Sequence, residues 1–273
     1  MKKFLLVLIL LSIPAFAEKV PKRIISLAPS ITEILCSLDL QKKIVGVTDF
    51  CKDPYKNTNF KGKSVGGLIN PNFEKMIHLK PDVIFTLKGK ADHTAQLRKY
   101  GLNVVVLQHQ NLEGVFDSIK IVGEKCGNAA IANKLHKDLQ SLLKEPKSDG
   151  RKVLVTISRL SSQANIRLWV AGNDGFYSKI LNLCGVENAI TGQDKFSQIT
   201  PEALVRINPD EIIFLKNVFT EEEKAAELKA WQKFASLKAI KENRFHFIIG
   251  DEVLIPGPRF PALLEKFKKA LHK

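Results

Sequence analysis

Pro71-Asn72-Phe73-Glu74 opens a helical pattern that runs to Lys80-Pro81-Asp82-Val83-Ile84-Phe85. Thr200-Pro201-Glu202 opens another that runs to Asn208-Pro209-Asp210-Glu211-Ile212-Ile213-Phe214. In each copy the glutamate precedes its proline by 7 residues. The two glutamates stand 128 residues apart, half of the 256 that follow residue 17. A single echo placed at half the chain points to two similar lobes. The helix starts have a local cause as well. Thr200 can cap the free amides, Pro201 suits the first turn, and Glu202 meets the positive end of the helix dipole. Asn70, Pro71 and Glu74 can act alike. On that reading each acid adds only about 0.3–1 kcal/mol of helix stability. It accounts for a first-turn acid but not for the matched spacing.

Outward from these segments, short apolar runs alternate with helical patterns. Strands are expected at 23–27, 44–47, 83–85 and 104–107, with helices at 30–38, 72–78 and 91–100. Residues 112–143 read as helix only, with a break near Gly127-Asn128, and Pro146 to Gly150 is a stop. Strands then return at 153–157, 211–215 and 245–249, with helices at 176–184, 201–207 and 259–271. Such alternation favours a mostly parallel sheet. The expected organisation is α/β: an N-terminal lobe over 18–111, a linking helical segment over 112–147 and a C-terminal lobe over 148–273.

Residues 1–17 read as a signal peptide. Lys2 and Lys3 precede an apolar run from Phe4 to Ile13, Pro14 ends it, and Ala15-Phe16-Ala17 offers the small-residue cleavage site before Glu18. The run is too short to span a bilayer comfortably. No cysteine adjoins the cleavage point, which argues against a lipid anchor. A soluble, exported, periplasmic protein is expected.

With 45% hydrophobic and 26% charged residues, the chain is not disordered, collagen-like or a polytopic membrane protein. Its net charge of +14 comes from scattered lysines. Export and that scatter argue against nucleic acid as partner. Cys36, Cys51, Cys126 and Cys184 could form two disulfides in an oxidising compartment, in three possible pairings. Cys36 and Cys126 fit buried thiols equally well.

Catalytic signatures are weak. Gly62-Lys63-Ser64-Val65-Gly66 matches G-x-S-x-G, but a nucleophile elbow needs a strand directly before the serine and a helix directly after. Here polar loop is expected on both sides. The six histidines form no i,i+4 pair and no H-E-x-x-H, so no bound metal ion is expected. The chain is not expected to be an enzyme.

The run from Arg23 to Leu35 (RIISLAPSITEIL) resembles the opening of the helical-backbone substrate-binding proteins of ABC importers. Val45-Gly46-Val47-Thr48-Asp49-Phe50-Cys51, Lys80-Pro81-Asp82, Cys184-Gly185-Val186-Glu187-Asn188 and Pro256-Gly257-Pro258-Arg259 continue the match in order. The family serves cobalamin, ferric siderophores, haem and related chelates, and the cobalamin branch is the most similar. The resemblance implies two α/β lobes joined by a long helix, a cleft between them, little hinge motion and a monomer. It implies no resident cofactor, a corrinoid or iron chelate being cargo. It places Glu74 and Glu202 where members dock onto arginines of the permease that works with its ATPase. It places Phe50, Leu68, Leu87, Trp169 and Phe196 around the ligand, with Asp251 as an acidic cleft residue. Leu68 and Leu87 stand where that branch carries tryptophan, and Ile255 where it carries arginine. A ferric siderophore would want cations such as Lys88, Arg159, Arg167 or Arg259. Haem would want an axial His93, His109 or Tyr55.

Overall fold

The computed structural model describes residues 19–51, 61–67, 69–89, 93–161, 166–172, 175–192 and 196–272. The expected signal peptide, Leu68 and Tyr55 lie outside the described residues.

The first lobe runs β1 (Ile24–Ser26), α1 (Pro29–Ser37), β2 (Ile44–Val47), β3 (Lys63–Ser64), α2 (Phe73–His78), β4 (Val83–Leu87), α3 (Thr94–Lys99) and β5 (Val104–Leu107). Its sheet is parallel throughout, in the order β3-β2-β1-β4-β5. The strands are short apolar runs because helices cover both faces of a parallel sheet. Ser64, expected in a loop, closes the edge strand β3. No helix follows it until Phe73, so the nucleophile elbow is not built.

Two helices follow, α4 (Leu112–Cys126) and α5 (Ala129–Gln140). Asn111 caps α4 by accepting the Gly114 amide at 2.9 Å. Gly127, at φ 79°, ends it in the left-handed conformation that glycine adopts freely. The chain then folds back so closely that a Cβ on Gly123 would lie 2.1 Å from that of Ala132.

The second lobe holds β6 (Lys152–Ser161), β7 (Ile166–Ala171), α6 (Phe176–Leu183), β8 (Glu187–Asn188), β9 (Phe196–Ile199), α7 (Pro201–Ile207), β10 (Glu211–Lys216), α8 (Glu221–Trp231), α9 (Lys238–Lys241), β11 (Phe245–Ile249) and α10 (Phe260–Leu271). Its order is β11-β10-β6-β7-β9, with β8 beside β6. This sheet is mixed rather than parallel throughout: β6, β8, β10 and β11 pair in parallel, while β7 runs antiparallel to both β6 and β9. Helix α8 was not expected from its sequence: three successive glutamates and no apolar stripe hide it, although Thr220 and Glu223 form a reciprocal capping box.

The sequence echo is a structural one. Asn72 accepts the Lys75 amide at 2.8 Å, and Thr200 accepts the Ala203 amide at 3.3 Å, so each cap meets the third helical residue. Lys80 and Asn208, at φ 45° and 43°, turn the chain out of their helices ahead of Pro81 and Pro209. Asp82 then accepts the Arg23 amide at 2.9 Å, and Asp210 accepts that of Lys152 at 2.7 Å. Each aspartate thereby locks its strand, β4 or β10, to the start of a neighbour. These amides hold both carboxyls below the usual range; Lys22 acts first on Asp82, and Lys152 on Asp210.

One apolar core runs through both lobes. Phe116 on α4 meets Phe260 on α10 at 5.9 Å between ring centroids, and Phe260 meets Phe176 on α6 at 6.2 Å. The four cysteines are thiols, and none is joined to another by a disulfide. Cys36 and Cys126 sit in this shared core. Among the described residues no helix is long and apolar enough to cross a membrane.

A charge pair also spans the lobes. Glu33 on α1 is 1% exposed, and its Oε1 accepts Arg259 Nε at 3.1 Å as well as Nη2. Burial pushes its carboxyl up, against the pull of Arg259. Its Oε2 faces Gly257, where a Cβ would come within 2.5 Å. Removing one partner of such a pair costs about 3–5 kcal/mol, because a buried charge is left behind. In urea unfolding, Arg259→Met is expected to lose that much. The double variant Glu33→Met/Arg259→Met is expected to recover most of it. Equal losses in both would show that packing, not the stranded charge, is responsible.

Candidate ligand cleft

Four parallel strands of the first lobe end at one place. The residues at and just after their carboxyl ends are Leu27 to Ser30 (β1), Thr48 and Phe50 (β2), Leu87 and Lys88 (β4), and His109 (β5), and all line a cleft. Ligands of parallel sheets collect at such ends because the connecting loops leave a crevice there. The second lobe closes the other side with Ala171, Gly172, Phe176, Tyr177, Phe196, Leu254 and Pro256. The cleft holds two adjoining cavities of about 320 and 430 Å³ that share Leu87, Lys88, Leu254 and Pro256.

The far wall is rigid for a structural reason. Tyr177 stacks edge-on to Phe176 at 5.5 Å and to Phe196 at 5.6 Å. Its hydroxyl donates to the Val253 carbonyl, and burial pushes its pKa up. These rings continue the chain from Phe116 through Phe260, so the interlobe core reaches the cleft surface. Phe50 stands on the lip at 67% exposure.

His109 is one of several polar residues in the first-lobe wall, with Ser30, Thr48, Lys88 and Gln110. Ser30 Oγ and His109 Nδ1 share a hydrogen bond of 2.8 Å, while Nε2 is buried without a partner. Burial holds the ring down at about 4, so it is neutral at physiological pH. Among the described residues no group of three metal-ligating side chains exists.

Of the residues expected around the ligand, Phe50, Leu87 and Phe196 line the cleft, and Ile255 does too. Trp169 and Asp251 do not. Along β7, Leu168 and Val170 point into the second-lobe core, so alternation puts the half-buried Trp169 on the face of the cleft-lining Ala171 and Phe196, but two residues further along the strand, beside Gln198 and outside the lining of the two cavities. Asp251 is exposed at the start of a 3-10 turn whose last residue, Leu254, does reach the cleft. Arg259 is taken by Glu33, and His93 packs edge-on against Phe73 at 5.6 Å. Phe176 and Tyr177 went unnoticed because an apolar helix start looks the same whether it faces core or cleft.

Glu74 and Glu202 occupy the same place, the second residue of α2 and of α7, and both are exposed. The caps come from Asn72 and Thr200, so neither helix needs its glutamate for that role. The Thr200 hydroxyl and the local amide hold Glu202 below the usual carboxylate range.

Residues 24–251 match the model of a family described as periplasmic binding protein. The chain belongs to that family. It is a family of binding proteins that serve ABC transporters, not of enzymes. An ABC transporter substrate-binding lipoprotein of Bacillus subtilis is 31% identical over 268 residues, covering 93% of this chain and 81% of that protein. The vitamin B12-binding protein of Vibrio cholerae is 26% identical over 244 residues, covering 87% and 84%. Among solved structures, a possible iron-binding periplasmic solute-binding protein of Staphylococcus epidermidis superposes with a TM-score of 0.75 at 27% identity. It covers 93% of this chain and 100% of that one.

The neutral His109 gives this binding protein a pH signature. The native ring takes its proton near 4, the unfolded ring near 6.5. Between those values the unfolded state binds more protons, so stability falls as pH drops through that window and is fully present above it. The loss from this residue is at most about 3 kcal/mol. Urea unfolding at pH 7 and pH 4.5 is expected to show a smaller acid loss for His109→Gln than for the parent. An imidazole titrating near 6.5 in the NMR spectrum of the native protein would contradict the assignment.

Proposed function

We propose that this protein is exported by residues 1–17, captures a corrinoid such as cobalamin in the interlobe cleft and delivers it to an ABC permease. The observation that carries the reading is the cleft itself, taken with the B12-binding relatives. It is open, bounded on the second-lobe side by Phe176, Tyr177 and Phe196, and flanked by the exposed Phe50. Aromatic and apolar walls suit a bulky chelate with an apolar edge. Calorimetry is expected to give cobalamin a dissociation constant of about micromolar or tighter. Phe196→Ala is expected to cost more than about 1 kcal/mol of that affinity. Trp169→Ala, on the same face but two residues beyond the cleft-lining Ala171, should cost less than Phe196→Ala. No binding of any corrinoid would overturn the ligand assignment.

A ferric-siderophore or haem cargo is the second reading. One observation favours it: the neutral His109 lies in the wall with an unpartnered nitrogen, a donor suited to a metal chelate. Visible absorption of protein purified from its own host separates the cargoes, since corrin, haem and ferric chelates absorb differently.

Delivery rests on Glu74 and Glu202. Two carboxylates at equivalent places on separate lobes fix the orientation of a partner more than they add affinity. Losing one partner of a desolvated charge pair costs about 2–5 kcal/mol. The ligand-loaded Glu74→Lys/Glu202→Lys protein is therefore expected to lose its stimulation of the reconstituted importer's ATPase, with unfolding and ligand affinity unchanged. Undiminished stimulation would return both residues to helix support.

A further inference from the structure

Among the described residues that line the two cavities, Lys88 is the one lysine or arginine, it borders both, and none is a carboxylate. No ion pair to Lys88 exists among the described residues. Its side chain is exposed, while its backbone amide donates to the Leu107 carbonyl at 2.9 Å and fixes it at the junction of β4 and β5. The wall facing it is apolar and aromatic. His109 adds no second cation, because burial keeps it neutral.

We propose that Lys88 is a specificity-determining residue that reads one anionic group on an otherwise apolar-faced chelate. The cleft then selects phosphate- or carboxylate-bearing chelates over their neutral counterparts. This deepens the chelate-binding reading and rests on it. The apolar wall of the second lobe holds the ligand's flat or bulky body, and the ammonium meets the anion from the first lobe. An ammonium on a flexible stem acts as a point charge with three donors, so it accepts a phosphodiester or a carboxylate alike. The distinction between those two sources is left to the cargo.

The test uses pairs that differ in charge. Cobalamin carries a phosphodiester in its nucleotide loop, and cobinamide lacks it. Haemin carries two carboxylates, and its dimethyl ester none. Calorimetry or fluorescence quenching is run on the parent protein, Lys88→Met and Lys88→Glu. Lys88 is exposed, so neither variant disturbs folding, which thermal unfolding checks. Within whichever pair binds, the anionic member is expected to bind at least about tenfold more tightly to the parent. That preference is expected to shrink with added salt, vanish in Lys88→Met and reverse in Lys88→Glu, while the neutral member binds Lys88→Met as it binds the parent. Cobalamin and cobinamide binding the parent equally would overturn the role of Lys88 and leave the corrinoid reading standing. A preference that survives Lys88→Met would overturn it too. Binding of the haemin pair alone, with the Lys88-dependent preference, would sustain Lys88 and overturn the corrinoid assignment. No binding of any of the four would overturn both.

Discussion

A carboxylate buried on helix α1 constrains the whole molecule. Glu33 sits among Ile31, Ile34 and Leu35 with almost no access to water. An isolated charge there would be costly, and the Arg259 guanidinium of the second lobe offsets that cost by docking against it. Arg259 is in turn 3.9 Å from Glu252, which Lys266 also holds, and Lys266 donates to the Ile249 carbonyl at 2.7 Å. Gly257 leaves the room that Glu33 needs. The segment that carries these contacts also carries Leu254, Ile255 and Pro256 into the cleft. The tie between the lobes and the wall of the binding site are therefore one piece of chain.

The apolar core acts in the same direction. The ring contacts from Phe116 through Phe260 and Phe176 to Tyr177 and Phe196 connect the linking helices to the cleft surface. Opening the lobes as rigid bodies would expose these rings as well as strand a buried charge. The geometry suits a binding protein whose lobes hold a nearly fixed distance. The docking proposed for Glu74 and Glu202, second residues of two equivalent helices, would use that fixed spacing.

Much of the fold was legible because it is written locally. Apolar runs such as 44–47, 104–107 and 245–249 match their strands residue for residue, and 201–207 matches its helix. The echo around Glu74 and Glu202 was legible because cap, helix, positive-φ turn, proline and strand-locking aspartate each leave a residue-type signature. The elements that were missed lack one. Strand β7 pairs antiparallel within an otherwise alternating lobe, and α8 is stabilised by its capping box rather than by an apolar stripe.

The sequence by itself determined the order of the main alternating strands and helices, the two-lobed α/β architecture, the family and the equivalence of the two glutamates, because each follows from local periodicity or from a motif in fixed order. Only the tertiary structure decided which side chains face the cleft. Phe196 and Trp169 are aromatics on the same face of neighbouring strands, yet Phe196, level with Ala171, lines the cavity, while Trp169, level with Gln198, stands two residues away from it. Lys88 after β4 and Arg259 at the start of α10 are both cations in connecting segments, yet one is exposed in the cleft and the other is spent on Glu33. Local pattern fixes which residues leave the core. Where those residues then meet depends on how two separately folded sheets are held together, and that is set by contacts between residues more than 200 positions apart, Glu33 and Arg259.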